Sequence, residues 1–123
     1  MFDNIGITVD CASEGLDQLA DFWASVLGFE KLLPFLLLDP ANVKPRIVFQ
    51  VVDEPKVAKN RWHLDLYVDH LDALPAKVAE ITALGAKELR HVDETVHGFT
   101  NTFTVMSDPQ GNEFCVCAPH VPA

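Results

Sequence analysis

The chain has 123 residues, 49% of them hydrophobic, which suffices for one domain burying about two-thirds of its unfolded surface and leaves no room for a second. A net charge of −9 argues against a nucleic-acid partner, because phosphate binding requires clustered Lys and Arg, and it mildly favours cationic ligands or solubility. The three cysteines make no disulfide framework, the first residues carry no targeting pattern, and the most apolar stretch is broken by Pro34. We therefore expect a cytoplasmic protein that does not enter a membrane.

The first predicted module contains one helix and four strands. An alternating strand that begins at Asn4 precedes a helix over about Gly15 to Leu27, for which Ser13 is the expected N-cap. Residues 29–38 supply two short strands, and residues 46–52 supply the last one. The helix carries an apolar stripe that we expect to pack on the sheet, formed by Leu16, Leu19, Ala20, Trp23, Val26 and Leu27.

The second predicted module repeats this order. Its elements are a strand over residues 62–68, a helix over about 72–84, and strands over 86–92, 100–106 and 113–118. Pro75 suits the first turn of the helix, where its missing amide has no partner to lose. A loop is expected through Gly98, and the Asp108–Asn112 segment, which combines Pro and Gly, predicts a tight structural turn.

The two modules begin and end alike, which indicates a tandem repeat. The strands that begin at Asn4 and His63 share a pattern, and both helices end at a Leu-Gly pair. A polar, proline-bearing linker over residues 54–61 joins module 1–53 to module 62–118. We therefore predict one α+β domain over residues 1–123, whose tandem β-α-β-β-β modules form a cupped eight-stranded mixed sheet with the helices outside. The cleft between the modules is the expected ligand site.

Strand alternation indicates which side chains face that cleft. The candidate ligand-binding residues are Asn4, Thr8, Gln50, His63, Asp65, Tyr67 and Cys115. The opposite strand faces are apolar and are expected to pack on the helices, as with Leu64, Leu66, Phe114 and Val116. His63 is also a candidate general base. Alternatively, His63 and Asp65 form a buried, mutually satisfied pair that fixes the sheet register, and Cys115 and Cys117 are small buried hydrophobes.

Several segments carry a family resemblance. They are Leu27-Gly28-Phe29-Glu30, Leu84-Gly85-Ala86, the strand from His63 to Asp69, and Asp108-Pro109-Gln110-Gly111-Asn112. Over essentially its whole length the chain resembles the vicinal oxygen chelate superfamily of glyoxalases, bleomycin-resistance proteins and extradiol dioxygenases. It is most similar to small glyoxalase-like domain proteins of unassigned activity. Because such scaffolds host different chemistries, the resemblance by itself does not imply glyoxalase activity.

The resemblance also implies where a divalent metal would bind. The four ligand positions of the metal-dependent members fall on Asn4, Gln50, His63 and Cys115. Only His63 matches the family pattern, and neutral amides bind divalent transition metals weakly beside imidazole and carboxylate. We therefore predict no metal and no other cofactor. A divalent metal is the alternative, held by His63 and Cys115 with help from Asp65 or Glu113.

Three functional classes remain open. The first is a small-molecule-binding protein that uses the cleft without a metal, as the resemblance to drug-sequestering members implies. The second is an enzyme of lyase, isomerase or dioxygenase type with a divergent metal site, or one with His63 as general base. The third is a dimeric partner module without a ligand. We favour the first class, and we expect a homodimer that uses apolar surface such as Phe29, Leu36 and Leu37.

Overall fold

The computed structural model describes all 123 residues and divides them into two compact units, Met1–Val57 and Ala58–Ala123. Each unit builds its own four-stranded mixed sheet and carries one α-helix. The predicted α+β class and the repeated β-α-β-β-β order are therefore confirmed, with the eight strands divided between two sheets. No helix is both long and apolar enough to cross a membrane.

The first unit consists of one helix packed on its own sheet. Its elements are β1 (Ile7–Cys11), α1 (Leu16–Leu27), β2 (Glu30–Leu33), β3 (Leu36–Leu38) and β4 (Ile47–Val51). The strand order is β1-β4-β3-β2, with β1 parallel to β4 and the other pairs antiparallel. The helix contacts β2, β3 and β4 and buries Leu19, Ala20, Phe22 and Trp23. The amphipathic stripe is thus confirmed at its centre.

Two predictions for the first unit are wrong. Ser13 is not the helix cap, because Gly15 occupies the N-cap position at φ +83°, a left-handed conformation that glycine adopts without strain, and no side chain caps the helix. Phe29 and Leu37, offered as uncovered dimer surface, are 8% and 0% exposed, and Leu36 is half-buried. Leu32, Leu33 and Phe35, in and beside β2, are exposed instead.

The second unit repeats the arrangement with a longer hairpin. Its elements are β5 (Leu64–Tyr67), a 3₁₀ turn (Leu71–Ala73), α2 (Leu74–Ala83), β6 (Lys87–Val96), β7 (Phe99–Ser107) and β8 (Glu113–Cys117). The strand order is β5-β8-β7-β6, with β5 parallel to β8. The prediction of a loop through Gly98 is wrong, because β6 continues to Val96 and is joined to β7 by a two-residue turn, His97 and Gly98. Both residues have positive φ, 52° and 80°, as the tightest hairpins require.

The two faces of this second sheet differ sharply. Phe114 and Val116, each 1% exposed, lie on the face that α2 covers, where α2 buries Leu74, Val78 and Ile81. This confirms the predicted helix-packed face. Cys115 and Cys117 alternate with them on the other face.

A β-bulge interrupts this alternation in β6. Glu88 pairs with Met106, but Arg90 pairs with Val105, so Leu89 is an extra residue without a partner of its own. Beyond the bulge, each side chain of β6 faces the side of the sheet opposite to the one that regular alternation would give it. Arg90 therefore shares a face with Val105, and His91 lies on the helix side, where its Nδ1 is 3.0 Å from the Thr104 hydroxyl.

The predicted turn after β7 is confirmed as structural. The buried Asp108 carboxylate accepts hydrogen bonds from the Gln110 amide and from the amide and side-chain nitrogen of Asn112, each at 2.9 Å. Gly111 supplies the positive φ, +87°. The turn thereby fixes the start of β8, which carries both cysteines of the second unit.

Candidate functional site

The cysteine-bearing face of the second sheet forms the floor of an open cavity of about 300 Å³. That volume lies at the lower end of the range found for small-ligand pockets. All lining residues belong to the second unit: Lys59, His63, Asp65, Tyr67, Arg90, Asn101, Phe103, Val105, Glu113, Cys115, Cys117 and His120. Four of the seven sequence-predicted ligand-binding residues are therefore brought together here, namely His63, Asp65, Tyr67 and Cys115.

His63 and Asp65 form a close pair at one side of the cavity. The His63 Nδ1 lies 3.1 Å from the Asp65 Oδ1, and the two side chains are 42% and 41% exposed. The alternative of a mutually satisfied pair is thus right about the contact and wrong about burial. A carboxylate that accepts the Nδ1 proton leaves Nε2 as the acceptor nitrogen of a neutral imidazole. The pair can therefore offer a ligand both a hydrogen-bond acceptor and a negative charge.

The two cysteines supply an apolar floor. Cys115 and Cys117 are buried and pack with Val105, and the half-buried Phe103 packs against this cluster. Burial raises the pKa of the Cys115 thiol, with the Asp65 carboxylate adding to the effect, while Arg90 and Lys59 oppose it. Burial, Asp65 and Cys115 together raise the pKa of the Cys117 thiol to about 12. Both thiols are consequently protonated at neutral pH and poor nucleophiles, as expected for small buried hydrophobes.

A row of cross-strand neighbours runs over the whole sheet beneath the cavity. Asp65 on β5 pairs with Cys115 on β8, Cys115 with Val105 on β7, and Val105 with Arg90 on β6. The Lys59 ammonium group lies 2.8 Å from the Glu113 carboxylate at the cavity edge. Simple alternation did not identify Arg90 as a lining residue, because the bulge places it on this face. The sequence contains no signal for the bulge, so the position of Arg90 could not be predicted from it.

An aromatic pair lines another part of the cavity. The Tyr67 and His120 rings meet edge to face with centroids 5.8 Å apart. The tail that carries His120 is held against the β6–β7 hairpin, since the Thr100 amide donates to the Val121 carbonyl at 2.8 Å. Burial, with Cys117 and Asp65 adding to it, raises the pKa of Tyr67. Sequence analysis did not single out His120, because no local pattern reveals its long-range contact with Tyr67.

The other three predicted site residues lie in the first unit and are not among the lining residues. Asn4 precedes β1, and its Oδ1 accepts a hydrogen bond from the Ile5 amide at 2.8 Å. Thr8 lies on β1 opposite Val48, and Gln50 lies on β4 opposite Asp10. All three are exposed. Their ligand-binding roles stay predictions.

Three side chains of the cavity could hold a metal ion. One ligand atom each from His63, Asp65 and Cys115 lies within 4.8 Å of the others. Imidazole, carboxylate and thiolate are donors that borderline divalent cations accept, and three protein ligands are usual at a catalytic zinc site. The group therefore fits a divalent cation by donor type and number. No buried side-chain polar atom is left without a hydrogen-bond partner, so none requires an ion, and the metal-free expectation stays a prediction.

Comparison with known proteins identifies a matching family and solved structures with a similar fold. The family model described as glyoxalase-like domain matches residues 6–117. A glyoxalase/bleomycin resistance protein/dioxygenase family enzyme from Burkholderia phytofirmans PsJN aligns with a TM-score of 0.70 at 18% identity, over 91% of this chain and 94% of that one. No curated protein matches this chain in sequence.

Fosfomycin resistance proteins share the same fold. A mutant of FosX from Listeria monocytogenes, in complex with Mn(II) and 1S,2S-dihydroxypropylphosphonic acid, aligns with a TM-score of 0.71 at 14% identity, over 95% of this chain and 90% of that one. FosX from Mesorhizobium loti gives a TM-score of 0.69 at 10% identity, over 97% and 94% of the two chains. At these identities the likeness establishes the fold alone.

Proposed function

The chain belongs to the glyoxalase-like domain family, which does not by itself set an activity, and we propose from the site itself that the chain binds a small molecule in the cavity of its second unit. One observation supports this above the others: polar side chains surround an apolar floor on a single sheet face, within a cavity of about 300 Å³. Small-ligand sites combine an apolar lining with a few convergent polar groups in this way.

The His63–Asp65 pair is the proposed polar anchor for the ligand. With Asp65 3.1 Å from Nδ1, His63 is held in one orientation and its other ring nitrogen can accept a proton or a hydrogen bond. The protonated Cys115 and Cys117 provide apolar contact, which favours binding over covalent chemistry at sulfur. Tyr67 and His120 add aromatic surface against which a flat ligand can pack.

A ligand screen on matched variants tests this proposal. Compounds that raise the melting temperature of the wild-type protein should bind His63→Ala about five- to 150-fold more weakly, since an unmade hydrogen bond costs on the order of 1–3 kcal/mol. The control is His70→Ala, because His70 and Asp72 make a similar pair at 3.5 Å that does not line the cavity. Equal weakening in both variants, or no stabilising compound in a broad library, would refute the proposal.

An enzyme is the second candidate, and the convergence of His63, Asp65 and Cys115 favours it. Without a metal, His63 would act as general base, with Asp65 holding its ring. With a metal, the three side chains would hold a divalent cation that polarises a substrate oxygen. The Mn(II) in the FosX complex makes such an ion worth testing here.

Elemental analysis of the purified protein separates metal-free binding from the metal enzyme. Metal-free binding predicts no stoichiometric metal and an unchanged melting temperature after dialysis against a chelator. About one metal per chain, absent from His63→Ala and present in His70→Ala, would move the metal enzyme to first place. A bound ion at one hundred times its dissociation constant stabilises by roughly 2.7 kcal/mol, so its removal would be visible.

We also propose a cytoplasmic homodimer. All three cysteines are free and buried, which suits a reducing compartment. The exposed apolar side chains Leu32, Leu33 and Phe35 replace the buried residues first considered for the dimer surface. Light scattering should give twice the chain mass, and Phe35→Lys should shift the protein to the monomer. A monomeric wild-type protein would refute this.

A further inference from the structure

Arg90 is the one cavity charge that the bulge in β6 brings onto the ligand-facing side. Regular alternation would place Arg90 on the same face as Glu88, which lines the helix side of the sheet. The extra residue Leu89 instead sets Arg90 opposite Val105, on the face that lines the cavity. Bulges are over-represented beside functional sites, where they redirect a side chain. A bulge that delivers a guanidinium to a cavity therefore points to a ligand contact.

The charge of Arg90 has no partner within the protein. Lys59 is paired with Glu113 at 2.8 Å, and His63 is paired with Asp65 at 3.1 Å. Arg90 makes no ion pair and no side-chain hydrogen bond, although acidic residues outnumber basic ones 18 to 9 in the chain. Its cross-strand neighbour, Val105, is apolar. The cavity thus offers an uncompensated cation beside apolar surface.

We propose that Arg90 binds the carboxylate of a small organic acid, whose apolar body lies over Val105 and the cysteines and whose far end reaches His63 and Asp65. This inference rests on the proposed function, because it names the ligand class of the same cavity. A guanidinium presents two parallel N–H donors that match the two oxygens of a carboxylate. Three strand spacings of about 4.8 Å, about 14 Å in all, separate the backbones of β5 and β6. The Arg90 and His63 side chains both extend into the cavity, so the ligand that bridges them is shorter than this distance.

The inferred ligand is the opposite of what net charge alone favours. A chain with a net charge of −9 attracts cations in general, which supported a cationic ligand at the level of composition. The local field decides binding, however, because surface charges beyond about 10 Å are screened at ordinary ionic strength. Asp65 and Glu113 also line the cavity, but each lies within 3.1 Å of a basic side chain, so Arg90 is the lining charge that has no ion-pair partner. We therefore expect anion selectivity in an acidic protein.

Three probes with one body and different charge test the inference. They are 4-hydroxyphenylacetate, its neutral amide and tyramine, each titrated into the full chain and followed by the NMR signals of the His63 ring. The acid should bind at least about tenfold more tightly than the amide, as expected for a charge-assisted bidentate contact. Arg90→Gln should abolish that preference. Lys77→Gln, which removes an equal charge from the helix side, should preserve it.

The outcomes separate the two proposals. If the amide or amine shifts the His63 signals as strongly as the acid, or if the acid preference survives Arg90→Gln, the anion inference is refuted while cavity binding stands. If neither the three probes nor a broad fragment library perturbs the cavity, the proposed function fails, and the inference fails with it. Arg90 is exposed, so Arg90→Gln should keep the wild-type melting temperature, which excludes misfolding as a cause.

Discussion

Replacing Phe114 with Ala tests which face of the second sheet is core. Phe114 is 1% exposed, and its cross-strand neighbours are Leu64 and the fully buried Met106. Truncating a buried Phe to Ala costs about 3–5 kcal/mol, because transfer free energy is lost and a cavity is left. Unfolding entropy near 2.1 cal/mol/K per residue gives roughly 0.26 kcal/mol/K for 123 residues. The melting temperature should therefore fall by about 12–19 °C.

The assay is thermal unfolding followed by circular dichroism, with Tyr67→Ala as the matched control. Tyr67 is 57% exposed on the cavity face, and losing its edge contact with His120 should cost only about 1 kcal/mol, or roughly 4 °C. A similar fall in the two variants would refute the assignment of alternate residues to core and cavity. The cavity residues named above would then need a different strand register.

Two further predictions concern titration and the turn before β8. Stability should decline as the pH rises above 9.0, the ordinary value for a thiol, because the pKa of Cys117 is raised to about 12 by burial and the unfolded chain releases this proton first. Urea unfolding should show a shallower decline for Cys117→Ala, and parallel declines would contradict this. Asp108→Ala should destabilise by about 2 kcal/mol, since three hydrogen bonds lose their buried acceptor. Asp39→Ala, which removes three comparable contacts at an exposed turn, should cost clearly less in the same assay; an equal loss would show that burial of Asp108 contributes nothing.

The fold was largely predictable because its signals are local. All eight strands and both helices were predicted, from alternation, from short β-rich runs beside turn residues and from 3.6-residue spacing. The helix cap was mistaken because a glycine in the left-handed conformation can start a helix without a side-chain partner. The hairpin after β6 was missed because the strong sequence signals for a two-residue turn are Asn-Gly and Asp-Gly, and this turn is His97-Gly98.

The candidate site was predictable only where side chains alternate regularly along a strand. His63, Asp65, Tyr67 and Cys115 lie on regular strands or directly before one, and alternation placed them on one face. Arg90 was missed because the bulge in β6 turns its side chain to the face opposite to the one that regular alternation predicts. The alternative metal site predicted from the sequence, His63 and Cys115 with help from Asp65 or Glu113, already contained all three donors, and the structure adds that their ligand atoms lie within 4.8 Å of one another.

The bulge also bears on how this strand tolerates changes in length. Leu89 has no cross-strand partner and is 51% exposed, while its neighbours keep separate partners on β7. We expect a chain that lacks Leu89 to pair Glu88 with Met106 and Arg90 with Val105 as before, now in regular alternation. Elsewhere in β6 a single deletion would exchange the residues of the two faces. Descendants of this sequence could therefore lose this codon while conserving both the core and the cavity.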